Sequence, residues 1–364
     1  MKKIDTGDGI QDSPNLETQS EPNSTADVQS LAVSADSREL SRGKNLLEIS
    51  EKIDQERREH LWTDAIACAR DVALACLPRK KTNEKIVKKT ISFATDCKVT
   101  VKYSVPEDSQ MPFGADRFVF FGVQHLARTS NSPLVEFDKA GLLLDMFDLN
   151  DSGAEYRRLR ARFQRLRSLN IEIETRRGDQ IEDTGAQWGI GSRFIEEWSL
   201  PSKKTIEAEL AGQKSLWTGR SPYYVKLADN LFSRVQKNNP EENILLLRLD
   251  LLRHFRDSPI GWDYCVFLLH RCGSARKTSV VPHDVLMEFF KSGKEPDRVT
   301  IDRLQKYHKE IKCATGDSLN ADLVVVREER KGRGRPRKIW GLRVGPSKSV
   351  VLSGKFPGNK GLKS

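Results

Sequence analysis

Apolar and polar positions alternate along this chain in blocks that predict an order of elements. From Leu46 to Leu77, the residues Leu46, Ile49, Ile53, His60, Leu61, Ile66, Ala69, Ala73 and Leu74 keep a roughly helical period, so the pattern predicts one long helix or a broken pair ending before Pro78. Val99 to Val105 alternates like a half-buried strand and is closed by Pro106. Met111 to Leu126 is apolar on most faces, as a central core helix should be. A second helix is expected near 138–147. Turn and cap residues at Asn150-Asp-Ser-Gly then open a third, at about 153–168. Ile171 to Thr175, a Gly-rich stretch at 185–191, and Phe194 to Leu200 read as strand, loop and strand.

The same order returns downstream. Segments 223–235 and 244–255 lead into helices at about 259–272, 282–290 and 297–313, followed by strands near 321–328 and 339–345. Three helices and a two-stranded hairpin make the winged-helix order, a variant of helix-turn-helix. The expected fold class is therefore α+β, predominantly α, with two tandem winged-helix domains. The expected boundaries are a disordered tail at 1–42, a helical segment at 43–94, the first winged helix at 95–205, the second at 220–346 and a flexible tail at 347–364. The first tail is polar and cannot bury enough surface to offset its ordering entropy.

A length of 364 residues suits two domains plus tails. With 37% hydrophobic and 31% charged residues, and no apolar run near the roughly 20 residues that cross a bilayer, a soluble cytoplasmic protein is expected. No apolar stretch follows the first lysines, so no secretory signal is read there. Six scattered cysteines fit reduced, buried thiols. Cys265, His270 and Cys272 lack the paired ligand spacing of a zinc site, so no metal is expected.

Charge changes the picture more. The net charge is +10, but residues 1–42 hold eight acids and four bases, which leaves +14 on the rest. Much of it falls on the third helix of the first unit, Glu155-Tyr-Arg-Arg-Leu-Arg-Ala-Arg-Phe-Gln-Arg-Leu-Arg167. Leu159, Phe163 and Leu166 form its inner stripe, and the spacing places Arg157, Arg158, Arg162 and Arg165 on the outer faces, with Arg160 also assigned to DNA. Arginine can bind guanine O6 and N7 bidentately in the major groove, while neighbouring arginines hold phosphates. The matching helix of the second unit offers Arg298, Thr300, Arg303 and Lys306 outside a stripe of Ile301, Leu304, His308 and Ile311. Its charge is mixed, since Asp302 and Glu310 can pair with nearby bases. Between the last two strands lies Arg330-Lys-Gly-Arg-Gly-Arg-Pro-Arg-Lys338, whose Gly-Arg-Pro core resembles an AT-hook. Arg333, Arg335, Arg337 and Lys338 are assigned to the minor groove of AT-rich DNA or to its phosphates.

No catalytic pattern accompanies this chemistry. Gly273 to Thr278 has the wrong spacing for a phosphate loop, and neither a metal-holding histidine pair nor a carboxylate cluster stands out. A protein that is not an enzyme and needs no cofactor is expected.

Three blocks resemble a known family. Met111 to Phe121, Tyr156 to Leu166, and Leu249 to Arg271, the last with Ser258, Pro259, Asp263 and Tyr264, look like successive blocks of the plasmid-encoded RepA/TrfA-type replication initiators. Gly261 and Trp262 depart from it, standing where small or aliphatic residues are expected. The resemblance spans about residues 95–345. It implies an initiator that binds direct repeats in an origin, helps open an adjacent AT-rich segment, recruits a host initiator and the replicative helicase, and represses its own promoter. Monomer and homodimer both stay open as the active form. The competing readings are a repressor alone and an architectural protein of AT-rich DNA.

Overall fold

The computed structural model describes residues 37–59, 65–94, 97–137, 142–150, 152–177, 187–199, 223–236, 244–275, 277–316, 319–328 and 337–347. Helix α1 (Ser37–Glu59) starts within the expected tail, and residues 1–36 lie outside the described set, as does the C-terminal tail from 348. Of the two forms expected over 46–77, the broken pair is the one seen, with a strand between its helices. Helix α1 stops at Glu59, and β1 (Ala65–Ala69) and the short α2 (Arg70–Ala75) follow.

The first unit is built on β2 (Ile86–Ala94), β3 (Cys97–Ser104), α3 (Asp116–Ser130), β4 (Leu134–Phe137), α4 (Leu142–Met146) and α5 (Gly153–Arg167). A hairpin of β5 (Asn170–Arg177) and β6 (Gln187–Arg193) comes next, then β7 (Ile195–Ser199) and β8 (Tyr223–Leu227). The hairpin belongs to an antiparallel sheet of order β2-β3-β5-β6. Only Phe194 separates β6 from β7, so the wing continues into a second sheet of order β4-β8-β7. The helix–strand–helix–helix–hairpin order of a winged helix is thus present, with β8 inserted between the strand that follows α3 and the end of the wing. From Gln187 onward, the Gly-rich stretch expected as a loop is strand β6, paired with β5 from Asn170↔Arg193 to Arg176↔Gln187.

After α6 (Asp229–Val235), β9 (Ile244–Arg248) and α7 (Leu249–His254), the second unit has the simpler plan. It runs α8 (Pro259–Ser274), β10 (Ser279–Val281), α9 (His283–Phe290), α10 (Asp297–Thr315), β11 (Ala321–Glu328) and β12 (Arg337–Val344). The sheet order is β10-β12-β11, so the first strand pairs with the last, as in a winged helix.

Local chemistry explains α8. Ser258 Oγ accepts from Gly261 N at 3.2 Å, and Pro259 occupies the first turn, where a missing N–H costs nothing. Buried apolar side chains run as one continuous core through both units. The ladder of β1 with β9, from Ala65↔Arg248 to Ala69↔Ile244, ties the N-terminal segment to the start of the second unit. Helix α1 packs on α10, burying Leu46, Ile49 and Ile53, while Arg42 donates to Glu310 at 2.7 Å.

Candidate nucleic-acid interface

Helix α5 is the third helix of the first unit. Ser152 caps it, accepting from Glu155 N at 3.3 Å. Tyr156, Leu159, Phe163 and Leu166 are buried, which anchors one stripe in the core. On the opposite face stand Arg157, Arg160, Gln164 and Arg167, all exposed and spaced three or four residues apart. Among the described residues, Arg157 and Arg160 have no ion-pair partner. Arg167 stacks its guanidinium over Trp198, 4.6 Å from the ring centroid, and Trp198 itself is 41% exposed. Arg158 lies at the flank, well exposed, and pairs with Glu155.

Two of the expected DNA contacts are corrected. Arg162 is buried, its guanidinium 5.4 Å from the centre of the Phe118 ring and 3.8 Å from Glu155. That burial lowers its pKa from the usual arginine value, with Glu155 and Asp116 opposing the shift. Arg165 makes a bidentate pair with the buried Asp116, at 2.6 and 2.7 Å, and lies over Phe113. The physical reason is that α3 covers the flank of α5 beside the Leu159 stripe. It presents a carboxylate and an aromatic face to arginines that would otherwise point to solvent. Gln164 and Arg167 take their place on the outer surface. The i, i+3, i+7 spacing of 157, 160 and 164 carried that signal.

In the second unit, α10 exposes Arg298, Val299, Asp302, Lys306 and Lys309. Arg298 projects almost wholly into solvent, with Asp302 at 3.9 Å. Thr300, expected at the interface, is 2% exposed and donates to Glu295 at 3.3 Å, which is a further correction: its position puts it beside Ile301 and Leu304 on the inner arc. Arg303 is half-buried and pairs with the same Glu295. Glu310 does not neutralise Lys306. It is buried, bound by Arg42 and by His254 at 3.0 Å. Of the cations expected at this helix, Arg298 and Lys306 are therefore the ones that face outward.

Arg337 and Lys338 begin β12, opposite Glu328 and Arg327 on β11. Arg333 and Arg335 fall between the two strands and lie outside the described residues. Beside β12, α10 borders a cleft of about 330 Å³ lined by His283, Asp297, Arg298, Ile301, Asp302, Ile339 and Trp340.

Among the described residues, the histidines have structural partners. His125 accepts from Ala67 N at 3.2 Å, and His308 links Tyr264 OH at 2.8 Å to the Ala321 carbonyl at 3.2 Å. Among the described residues there is no group of three His, Cys, Asp or Glu placed to hold a metal, and no helix long and apolar enough to cross a membrane.

No protein-family model matches the chain, and no curated protein matches it. Among solved structures it is similar to crystal structures of domains 2 and 3 of RctB. One is a selenomethionine derivative, at 14% identity and a TM-score of 0.45; another is at 12% identity and 0.46. Each match covers 76% of this chain and 97% of the other. With both scores under 0.5, the fold assignment rests on the strand pairing and helix order of the chain itself.

Proposed function

We propose that the protein is a replication initiator that binds direct repeats in double-stranded origin DNA through two winged-helix units. The outer face of α5 enters one major-groove segment and the N-terminal half of α10 another, while the wing at 330–338 reaches the adjoining AT-rich DNA. The observation that carries DNA binding is the outward row Arg157, Arg160, Gln164 and Arg167 on a third helix. Arginine and glutamine in one row match the edges of guanine and adenine, and Arg158 at the flank suits a phosphate. Salt-bridged surface helices interleave acids with bases, and this face carries no acid. Initiation, as distinct from binding, is supported by the resemblance to plasmid initiators.

The test has two steps. Duplexes are selected from a random-sequence pool by the full chain, and the winning sequence should be bound about 10³-fold or more above random AT-rich duplex at physiological salt. The gene is then asked to maintain a DNA carrying its own flanking repeats in a host with no other initiator. Selection without maintenance would reduce the protein to a repressor, and equal affinity for random AT-rich DNA would make it architectural.

A further inference from the structure

The two recognition helices are joined by two short runs of adjacent residues. In the first unit these are Asp116, Arg117 and Phe118, at the start of α3. Asp116, 1% exposed, grips Arg165 of α5, and Phe118 carries Arg162 of α5 on its ring face. Arg117, 2% exposed, turns the other way and donates to Asp263 of α8 at 3.0 Å.

In the second unit the matching run is Trp262, Asp263 and Tyr264, in the first turns of α8. Trp262 is 1% exposed. It inserts into the first unit against Phe118, Phe121 and Phe147, with ring centroids at 5.3, 5.6 and 5.8 Å. Asp263 is held by Arg117 on one oxygen and by Arg79 Nε, at 2.9 Å, on the other. Tyr264, fully buried, hydrogen-bonds His308 of α10 at 2.8 Å, and Ser258 at the head of the same helix donates to Tyr307 of α10 at 2.8 Å. Each arginine is fixed in turn by backbone carbonyls. Arg117 donates to Gly114 at 2.5 Å and Leu77 at 3.1 Å, and Arg79 to Phe289 and to Phe290, the latter at 2.9 Å.

We infer that Asp116-Arg117-Phe118 and Trp262-Asp263-Tyr264 form a rigid coupling that fixes α5 relative to α10 and so sets the separation of the two major-groove segments the protein accepts. The inference rests on the DNA-binding reading above. Rotating one unit against the other means withdrawing a large aromatic from a ring cluster and leaving a buried carboxylate or guanidinium without its partner, an arrangement strongly disfavoured in a low-dielectric interior. A joint of this kind holds one geometry. Two binding surfaces linked rigidly gain from each other only where the target matches that geometry, whereas a loose link forgives the mismatch.

The experiment uses the full chain and the duplex it selects, with the two contacted segments located by footprinting. Five base pairs are inserted between the segments, about half a helical turn, which moves the second segment to the opposite side of the duplex. The wild-type protein should lose about 10²-fold in affinity, the advantage that joint binding confers. Trp262→Ala, and the milder Trp262→Phe, are measured beside it, with folding checked by circular dichroism. Trp262→Ala should bind a duplex with a single segment as the wild type does, but lose less than about tenfold on insertion. A merely structural role would weaken both duplexes together and leave the insertion penalty intact. Tolerance of the insertion by the wild type would overturn the coupling without recourse to any variant, as would a folded Trp262→Ala that keeps the full penalty. If no duplex is selected at all, the DNA-binding reading falls and the coupling's role in spacing falls with it.

Discussion

Two arginines on one helix, Arg160 and Arg165, illustrate how environment divides identical side chains between open surface and architecture. Arg160 is exposed with no ion-pair partner among the described residues, whereas Arg165 closes a bidentate pair on Asp116, which is 1% exposed. Replacing Arg157 and Arg160 together by Ala should weaken binding to the selected duplex and leave the unfolding midpoint unchanged. The salt dependence of binding should flatten by about 0.9 log units for each phosphate the protein no longer neutralises. Arg165→Ala should instead leave the buried Asp116 without its ion pair, while Phe113 N still donates to it at 2.8 Å. A destabilisation of about 2–3 kcal/mol is expected, below the range for fully buried pairs because Arg165 is partly solvated. Urea unfolding reads it, and an unchanged midpoint would remove Arg165 from the architecture.

Two buried histidines add a pH dependence. Burial pushes His308 down to about 4 and His270 to about 3, with nearby Lys312, and with Arg70 and Arg271, acting in the same direction. Both are neutral in the folded chain, while the unfolded chain takes up protons near pH 6.5. The stability is complete above that value and declines as pH falls from about 6.5 toward 4. Urea midpoints at pH 7.5 and 5.0 should therefore differ, the acid one being lower. Equal midpoints would contradict the burial of these rings.

Among whole elements, the pattern of side chains told helices from strands where one face met water and failed for short segments where neither did. The inner stripe of α5 and the helices α9 and α10 were legible from spacing, because each exposes a polar arc, whereas α8, buried at every position from Gly261 to His270, was legible from the length of its apolar run. Strands β1 and β9 were not. Ala65 to Ala69 and Ile244 to Arg248 are largely buried, so their apolar runs show no period of two and merge with the helical patterns beside them. Strand β6 was hidden for another reason. Gly189 and Gly191 lie opposite Glu174 and Glu172 and contribute no side chain to the alternation. In α8, Gly261 answers to packing: a β-carbon there would come within 2.6 Å of Phe255 Cδ1. Gly261→Ala should lower stability by about 1–3 kcal/mol, seen as an earlier thermal transition, and an unchanged transition would show that the Phe255 ring moves aside. The wing carries its own prediction. Arg335→Ala should reduce binding to duplexes with AT-rich flanks more than to those with GC-rich flanks, and an equal loss on both would make the segment a plain phosphate contact.

Across the molecule, the duplicated order of elements was readable, but the identity of the outward residues was not. Whether an arginine beside an apolar stripe faces DNA depends on the neighbouring helix, and the approach of α3 to α5 is a tertiary event that the α5 sequence does not encode. The departure at Gly261-Trp262 has a similar cause, since Trp262 fills a ring cluster belonging to the other unit. In the proposed complex one chain lays two third helices along one duplex, and hydroxyl-radical footprinting of the full chain on its selected duplex reads that arrangement. Two protected segments are expected on one face, about 34–36 Å apart, with Arg157→Ala/Arg160→Ala erasing one and Arg298→Ala/Lys306→Ala weakening the other. A single protected segment, or uniform protection that vanishes with salt, would contradict it.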